Sequence, residues 1–341
     1  MSEPATPSAS VAQLNLLLLL SFALAMLLAS ALKDDADLYW QIRIGQEMLA
    51  SGQLFPPDTI SYQLEGHKLR GPATLAQLLL AFLYHRGGLQ LVRALHFLCY
   101  TIAFFVAGLL SLRMYSARTG RWPLAMGWTL CVLPALSSAS IRPHCFGLLG
   151  FSLALYLIRT ARFSLASVVL LFILTVVWQN MHASVSVLVL SLIALIIAGL
   201  FSENRPRLLR ERSVYLLTVS FAQLFTPLGF DVFSVTSINL RLSRELLGIS
   251  EWLPPWNPLV APAMTGFWFS AALGCVGLLL FARRISYDDR FLFLALTVQT
   301  MYASRLVIFW SVASVPLFVQ MGRTVLPRYR RKSHEASQLE Q

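Results

Sequence analysis

Charge is what this 341-residue chain is short of. Asp, Glu, Lys and Arg make up 13% of it, about half the share of an ordinary soluble domain. That excludes a disordered or fibrous chain and argues against a water-soluble globule. Residues 163–202 contain no Asp, Glu, Lys or Arg, nor do 213–230 or 252–282. Cysteine is scarce too. Cys99, Cys131, Cys145 and Cys275 show none of the close pairing of a zinc or redox motif, and they read as small buried hydrophobes. The P-loop, GxGxxG, HExxH and GxSxG patterns are missing, which removes the usual nucleotide, zinc-protease and hydrolase signatures. So are an ion-filter motif and the paired broken helices of many secondary transporters.

What is abundant is apolar sequence, 57% of the residues. A helix of about 20 mostly apolar residues spans a bilayer, and lipid favours helices because it offers unpaired backbone groups no partner. The runs predict an all-α polytopic integral membrane protein with about ten transmembrane helices. They fall near 13–32, 89–112, 122–140, 144–158, 164–180, 183–201, 213–229, 264–282, 291–304 and 306–322. Residues 1–322 would form one transmembrane domain. Within it, 33–88 is a first outer loop with an amphipathic helix near 38–51, a Pro-Pro-Asp turn at 56–58, and a second surface helix over 73–86. That second run is too short and too awkwardly placed to span. The segments 113–121, 159–162, 205–212, 283–290 and 323–332 carry most of the 27 Lys and Arg. Under the positive-inside rule they lie in the cytoplasm, as do both termini. The net charge of +11 is then topological, and no nucleic-acid partner is implied. The tail 323–341 is basic, polar and expected to be disordered near anionic lipid.

Five separate segments deliver costly polar residues to the outer ends of these spans: Asp34, Asp35 and Asp37; Arg142-Pro143-His144; Asn180-Met181-His182; Glu251-Trp252; and Arg305. Ionisable groups at membrane depth are expensive and face a cavity or a partner. Five convergent segments predict one outward-facing site. The aspartates are either a solvated loop start or catalytic bases, and a divalent cation, if one binds, falls to Asp35 and Asp37. Arg142 and Arg305 either snorkel to headgroups or hold phosphate through the bidentate arginine fork. His144 would add a donor or a proton. Asn180 and His182 either close a hairpin or donate to a bound headgroup. Trp252 is either an interfacial anchor or a sugar-stacking ring.

The run Asp35-Ala36-Asp37-Leu38-Tyr39-Trp40-Gln41-Ile42-Arg43-Ile44-Gly45, continuing to Pro57-Asp58-Thr59-Ile60-Ser61-Tyr62, is followed in order by Arg142-Pro143-His144, the Trp178-to-His182 segment, Thr226-Pro227-Leu228-Gly229 and Glu251-Trp252. This pattern, over roughly 13–322, resembles the GT-C-type polytopic membrane glycosyltransferases and their relatives akin to protein mannosyltransferases. The resemblance is to a short form lacking the C-terminal soluble domain. Gln41 stands where that family's motif often has His. Asn180-Met181-His182-Ala183-Ser184 stands where relatives often have Asn-Leu-His-Gly-Gly.

The resemblance implies an inverting transferase in a bacterial inner membrane, with its active face outside. It would take a sugar from a polyprenyl-phosphate carrier, with Asp35 or Asp37 as base. Arg142 and Arg305, with His144 or His182, would hold the phosphate, and Asn180, Glu251 and Trp252 would complete the site. The rival readings are a non-catalytic subunit of a glycan-assembly complex with a protein partner, and a lipid-linked sugar transporter.

Overall fold

The computed structural model describes residues 10–31, 35–60, 66–115, 120–243 and 249–339, so Asp34 lies outside the described residues. It is all-helical, with 79% helix, and no strand occurs among the described residues. Twelve α-helices follow one another: α1 Val11–Ala31, α2 Ala36–Ser51, α3 Thr74–Tyr115, α4 Arg121–Leu136, α5 His144–Thr160, α6 Leu165–Met181, α7 Val185–Gly199, α8 Arg205–Ala222, α9 Asp231–Arg241, α10 Thr265–Phe281, α11 Tyr287–Tyr302 and α12 Val307–Leu339.

Four stretches among the described residues are long and apolar enough to cross a membrane: Val11–Ser30, Thr74–Tyr115, Thr265–Arg284 and Ser304–Val325. α5, α6 and α7 are apolar but shorter. Many large apolar side chains face outward, among them Leu279 at 84% and Leu165 at 79% exposure. Such a surface would promote association in water and is compatible with lipid.

The two helices expected in the 33–88 segment are present. α2 lays Leu38, Ile42, Ile44 and Met48 inward against the first half of α3, and Gln77 donates to Gln41 Oε1 across the contact at 2.7 Å. Gly45 makes this approach feasible, because a Cβ there would lie 2.0 Å from the Gln77 carbonyl oxygen. α3 breaks at Gly87 and Gly88. Gly88 has φ 60° and ψ −159°, a region essentially closed to other residues. The break separates the helix on which α2 packs from the long apolar one.

α12 packs on α4, α11 and α3, and α5 sits between α3 and α6. Phe151, Phe267, Phe293, Trp310 and Phe318 fill the centre.

Two expectations are corrected, and the stretch 230–262 contains α9. The tail after Arg323 continues α12 as helix to Leu339, which suits its Arg, Lys, Glu, Ala and Gln content. Cys275 is exposed, whereas the other three cysteines are buried. It sits on α10, a helix that turns most of its surface outward.

Candidate functional site

The chain ends of α1, α4, α6 and α11 gather at one end of the bundle. The turn between α4 and α5 is tight. The Arg142 amide donates to Ser140 O, and the Cys145 amide to Arg142 O, at 3.0 and 3.2 Å. Pro143, with φ −57°, stands immediately before α5, where its fixed ring suits a helix entry. This holds Arg142 at the bundle end.

Asp35 is the N-cap of α2 and accepts the Asp37 amide at 3.0 Å. Its other oxygen meets Arg142 Nη2 at 2.5 Å. Two further short turns, Ser250–Trp252 and Ser304–Leu306, are joined to each other. Ser304 donates its hydroxyl to Glu251 O at 2.9 Å and its amide to Leu253 O at 3.0 Å. This sets Glu251 beside Arg305, with Arg305 Nη1 to Glu251 Oε1 at 2.9 Å. Arg142 Nη1 reaches the second Glu251 oxygen. The Arg305 guanidinium lies over Trp252, 4.1 Å from the ring centre, in cation–π range.

One continuous network results, of three carboxylates and two guanidinium groups. Its members are not equivalent. Asp35 and Arg142 are each 19% exposed, whereas Asp37 is 49% exposed. Asp37 Oδ1 accepts from the Trp40 indole at 3.2 Å. Its Oδ2 stops 3.7 Å from Arg142 Nε, beyond hydrogen-bond range. Burial works against the Arg142 charge, while the Asp35 hydrogen bond and the Glu251 and Asp37 charges favour it. The balance holds Arg142 above the ordinary arginine value.

The remaining sequence candidates stand differently. His144 is buried, with Nε2 2.5 Å from the Tyr100 hydroxyl and 3.2 Å from Ser138 O. It therefore engages the bundle interior. Asn180 donates to Val176 O and Phe225 O, both at 2.8 Å. It thus ties the end of α6 to the turn after α8. His182 Nδ1 lies 2.8 Å from Ser184 Oγ, which also accepts from Trp178 Nε1 at 3.0 Å. Burial, and secondarily the Arg305 charge, push His182 down to about 3, so it is neutral at physiological pH.

Among the described residues, no three His, Cys, Asp or Glu side chains are grouped to hold a metal ion. Asp35 and Asp37 already face the fixed charge of Arg142, so this donor set does not suit a divalent cation.

Sequence reasoning missed a second charged assembly at the opposite end of α5. Arg159 Nη1 meets Asp289 Oδ1 at 2.6 Å, with the two side chains 2% and 0% exposed. Arg212 Nη2 meets Asp288 Oδ2 at 2.7 Å. The signal was there: Asp288 and Asp289 are the only acidic residues between Trp252 and His334, and they sit among arginines.

No family model matches the chain, and no curated protein does either.

Proposed function

We propose that this protein is a membrane-embedded glycosyltransferase using a polyprenyl-phosphate sugar at the Arg142 end of the bundle. In this reading the helices make ten crossings, with the first part of α3 lying on the surface. The arginine-rich opposite end is cytoplasmic, as are both termini. The observation that supports it is the meeting of Asp37, Glu251, Trp252 and Arg305 from three distant segments, with Asp37 the most exposed and least engaged carboxylate.

Asp37 accepts the proton of an acceptor hydroxyl. The hydroxyl oxygen attacks the anomeric carbon from the face opposite the phosphate. The bond from that carbon to the phosphate oxygen breaks, and the phosphate departs with the electron pair. Arg305, oriented by Glu251 and Trp252, stabilises the developing charge. Asp35 and Arg142 are positioning residues. Asp35 fixes the start of α2 and hence Asp37, and Arg142, engaged by carboxylates, holds Asp35 and Glu251 in register.

The test is native mass spectrometry of the detergent-purified chain. A retained polyprenyl-phosphate species, lost in Arg305→Ala and kept in Asp37→Asn, supports the reading. Ordinary phospholipid alone in the wild type overturns it.

A second reading, a non-catalytic subunit of a glycan-assembly complex, draws on the same network. Arg142 is engaged by carboxylates from two segments, and the five charged groups sum to a net negative charge, which resembles a structural clasp more than a waiting phosphate site. Co-purification of a stoichiometric protein partner, with Asp37→Asn neutral in the pathway, would favour it.

A further inference from the structure

Three polar side chains at the Arg142 end are potential donors to a ligand besides the arginines, and two of them are engaged. His144 Nε2 is taken up by Tyr100 and Ser138, and the Asn180 amide nitrogen by two carbonyls. His182 differs. Its Nδ1 lies 2.8 Å from Ser184 Oγ, but its Nε2 has no partner among the described residues. The imidazole is partly exposed, whereas Ser184 is buried.

The tautomer of His182 follows from Ser184. The Ser184 oxygen accepts the Trp178 indole N–H at 3.0 Å. A hydroxyl has one proton to give, and among the described residues the acceptor within its reach is His182 Nδ1. Were Nδ1 protonated instead, that buried hydroxyl proton would have no acceptor, a costly arrangement. Ser184 therefore donates to Nδ1, and the imidazole proton sits on Nε2. Burial, with the Arg305 charge beside it, keeps the ring neutral. Nε2–H is thus a neutral donor at a fixed atom. Gly147 makes this arrangement possible. It lies in the first turn of α5, just behind the Arg142-Pro143 corner. A Cβ there would fall 2.4 Å from Ser184 Oγ and 3.0 Å from His182 Nδ1.

Arg305 has unused donors too. Its Nη1 is held by Glu251 and its guanidinium face by Trp252, which leaves Nε and Nη2 without an acceptor among the described residues. The network sets three carboxylates against two guanidinium groups, so an anion entering it meets an excess of negative charge. Neutral N–H groups help most in such a place, because fixed dipoles stabilise an oxyanion without needing a counter-charge.

We infer that His182 Nε2–H donates to a phosphate oxygen of the lipid-linked sugar donor held by Arg305, and that Ser184, Trp178 and Gly147 are positioning residues that fix this tautomer and place the ring. The inference rests on the transferase reading and adds a ligand contact to it.

The test is a native mass spectrometry titration of the detergent-purified full chain with undecaprenyl phosphate, against undecaprenol as the phosphate-free control. His182→Gln carries an amide N–H to where Nε2–H points, while the shorter His182→Asn reaches no further than Nδ1. Thermal unfolding establishes that each variant folds. Ser184→Ala, which frees the tautomer, takes the place of His182→Asn should that variant not unfold cooperatively, and is read in the same way. Half-saturation should stay within about threefold of the wild type in His182→Gln. It should weaken about tenfold in His182→Asn, the loss expected for one hydrogen bond to a charged group. Equal half-saturation in the wild type and His182→Asn, with binding lost in Arg305→Ala, overturns the His182 contact and leaves the transferase reading standing. Equal weakening in the Gln and Asn variants also overturns the contact, since a ring needed only for packing would behave in that way. A wild type that does not prefer undecaprenyl phosphate to undecaprenol overturns the transferase reading itself, and the His182 contact with it.

Discussion

At the scale of single residues, Asp35 and Asp37 have the same chemistry two positions apart but different surroundings. Asp35→Asn keeps the cap and loses the charge pair with Arg142, whereas Asp35→Ala loses both. The alanine variant should therefore be the less stable by about 0.5–2 kcal/mol, read as the difference in thermal unfolding. On the transferase reading proposed above, Asp37→Asn, at a half-exposed carboxylate, should melt like the wild type while abolishing transfer. Transfer at the normal rate would remove Asp37 as the base. His182 makes a pH prediction. Its folded value of about 3 lies below the ordinary 6.5, so the unfolded chain binds the proton more readily. His182's contribution to stability is complete above about pH 6.5 and is lost as pH falls toward 3. Between these limits its share approaches about 1.4 kcal/mol per pH unit. His182→Gln should flatten the fall in melting temperature between pH 6.5 and 5 by that share, and an unchanged slope refutes the assignment. At this scale the sequence singled out Asp35, Asp37, Arg142, Glu251 and Arg305, which share one network, but also His144 and Asn180, which bond to the bundle interior and to the turn after α8. It did not foretell that Arg142 would be engaged by carboxylates, because partner choice depends on the packing of turns that are more than a hundred residues apart.

At the scale of elements, apolar runs predicted most helices closely. The segments 144–158, 164–180, 183–201 and 264–282 match α5, α6, α7 and α10 to within about two residues at either end. The segment 213–229 fared worse, since α8 begins at Arg205 and ends at Ala222. Hydropathy overlooked its charged first two turns, where Pro206 sits at the favoured helix entry and arginine is a good helix former. It also overran the Thr226-Pro227 stop. α9 was missed because eleven mixed residues carry no strong apolar run. The two glycine devices are testable here. Gly88→Ala meets no neighbour but would have to hold a glycine-only backbone conformation. It should cost about 1–3 kcal/mol, seen as a lowered melting temperature with α2 undisturbed. Gly45→Ala instead drives α2 away from α3. It should cost a similar amount by overpacking and also impair whatever Asp37 does. A Gly45→Ala protein as active as the wild type would show that α2 need not be held tightly.

At the scale of the whole molecule, the two ends differ in how their charges are held. The Arg142 network is partly open to solvent, whereas the Arg159–Asp289 pair is sealed. Asp289→Asn leaves a guanidinium buried without its counter-charge and should destabilise by about 3–5 kcal/mol. Arg43→Ala, which removes an exposed pair with Glu47, should change stability by less than about 1 kcal/mol. Thermal unfolding of both variants in one detergent tests the contrast, and equal losses would contradict it. One dimension carries a further consequence. α5, α6 and α7 have 17, 17 and 15 residues, lengths of about 22–26 Å at 1.5 Å per residue. The hydrocarbon layer of a typical bilayer is about 30 Å thick. Where these helices cross it, the lipid must pinch inward on that flank of the protein and stay thick around the 20-residue stretches Val11–Ser30 and Thr265–Arg284. Such a molecule would ride more comfortably in thin membranes than in thick ones, and it would carry a dimple in the bilayer with it, a shallow funnel for long-chain lipids at the bundle's short side.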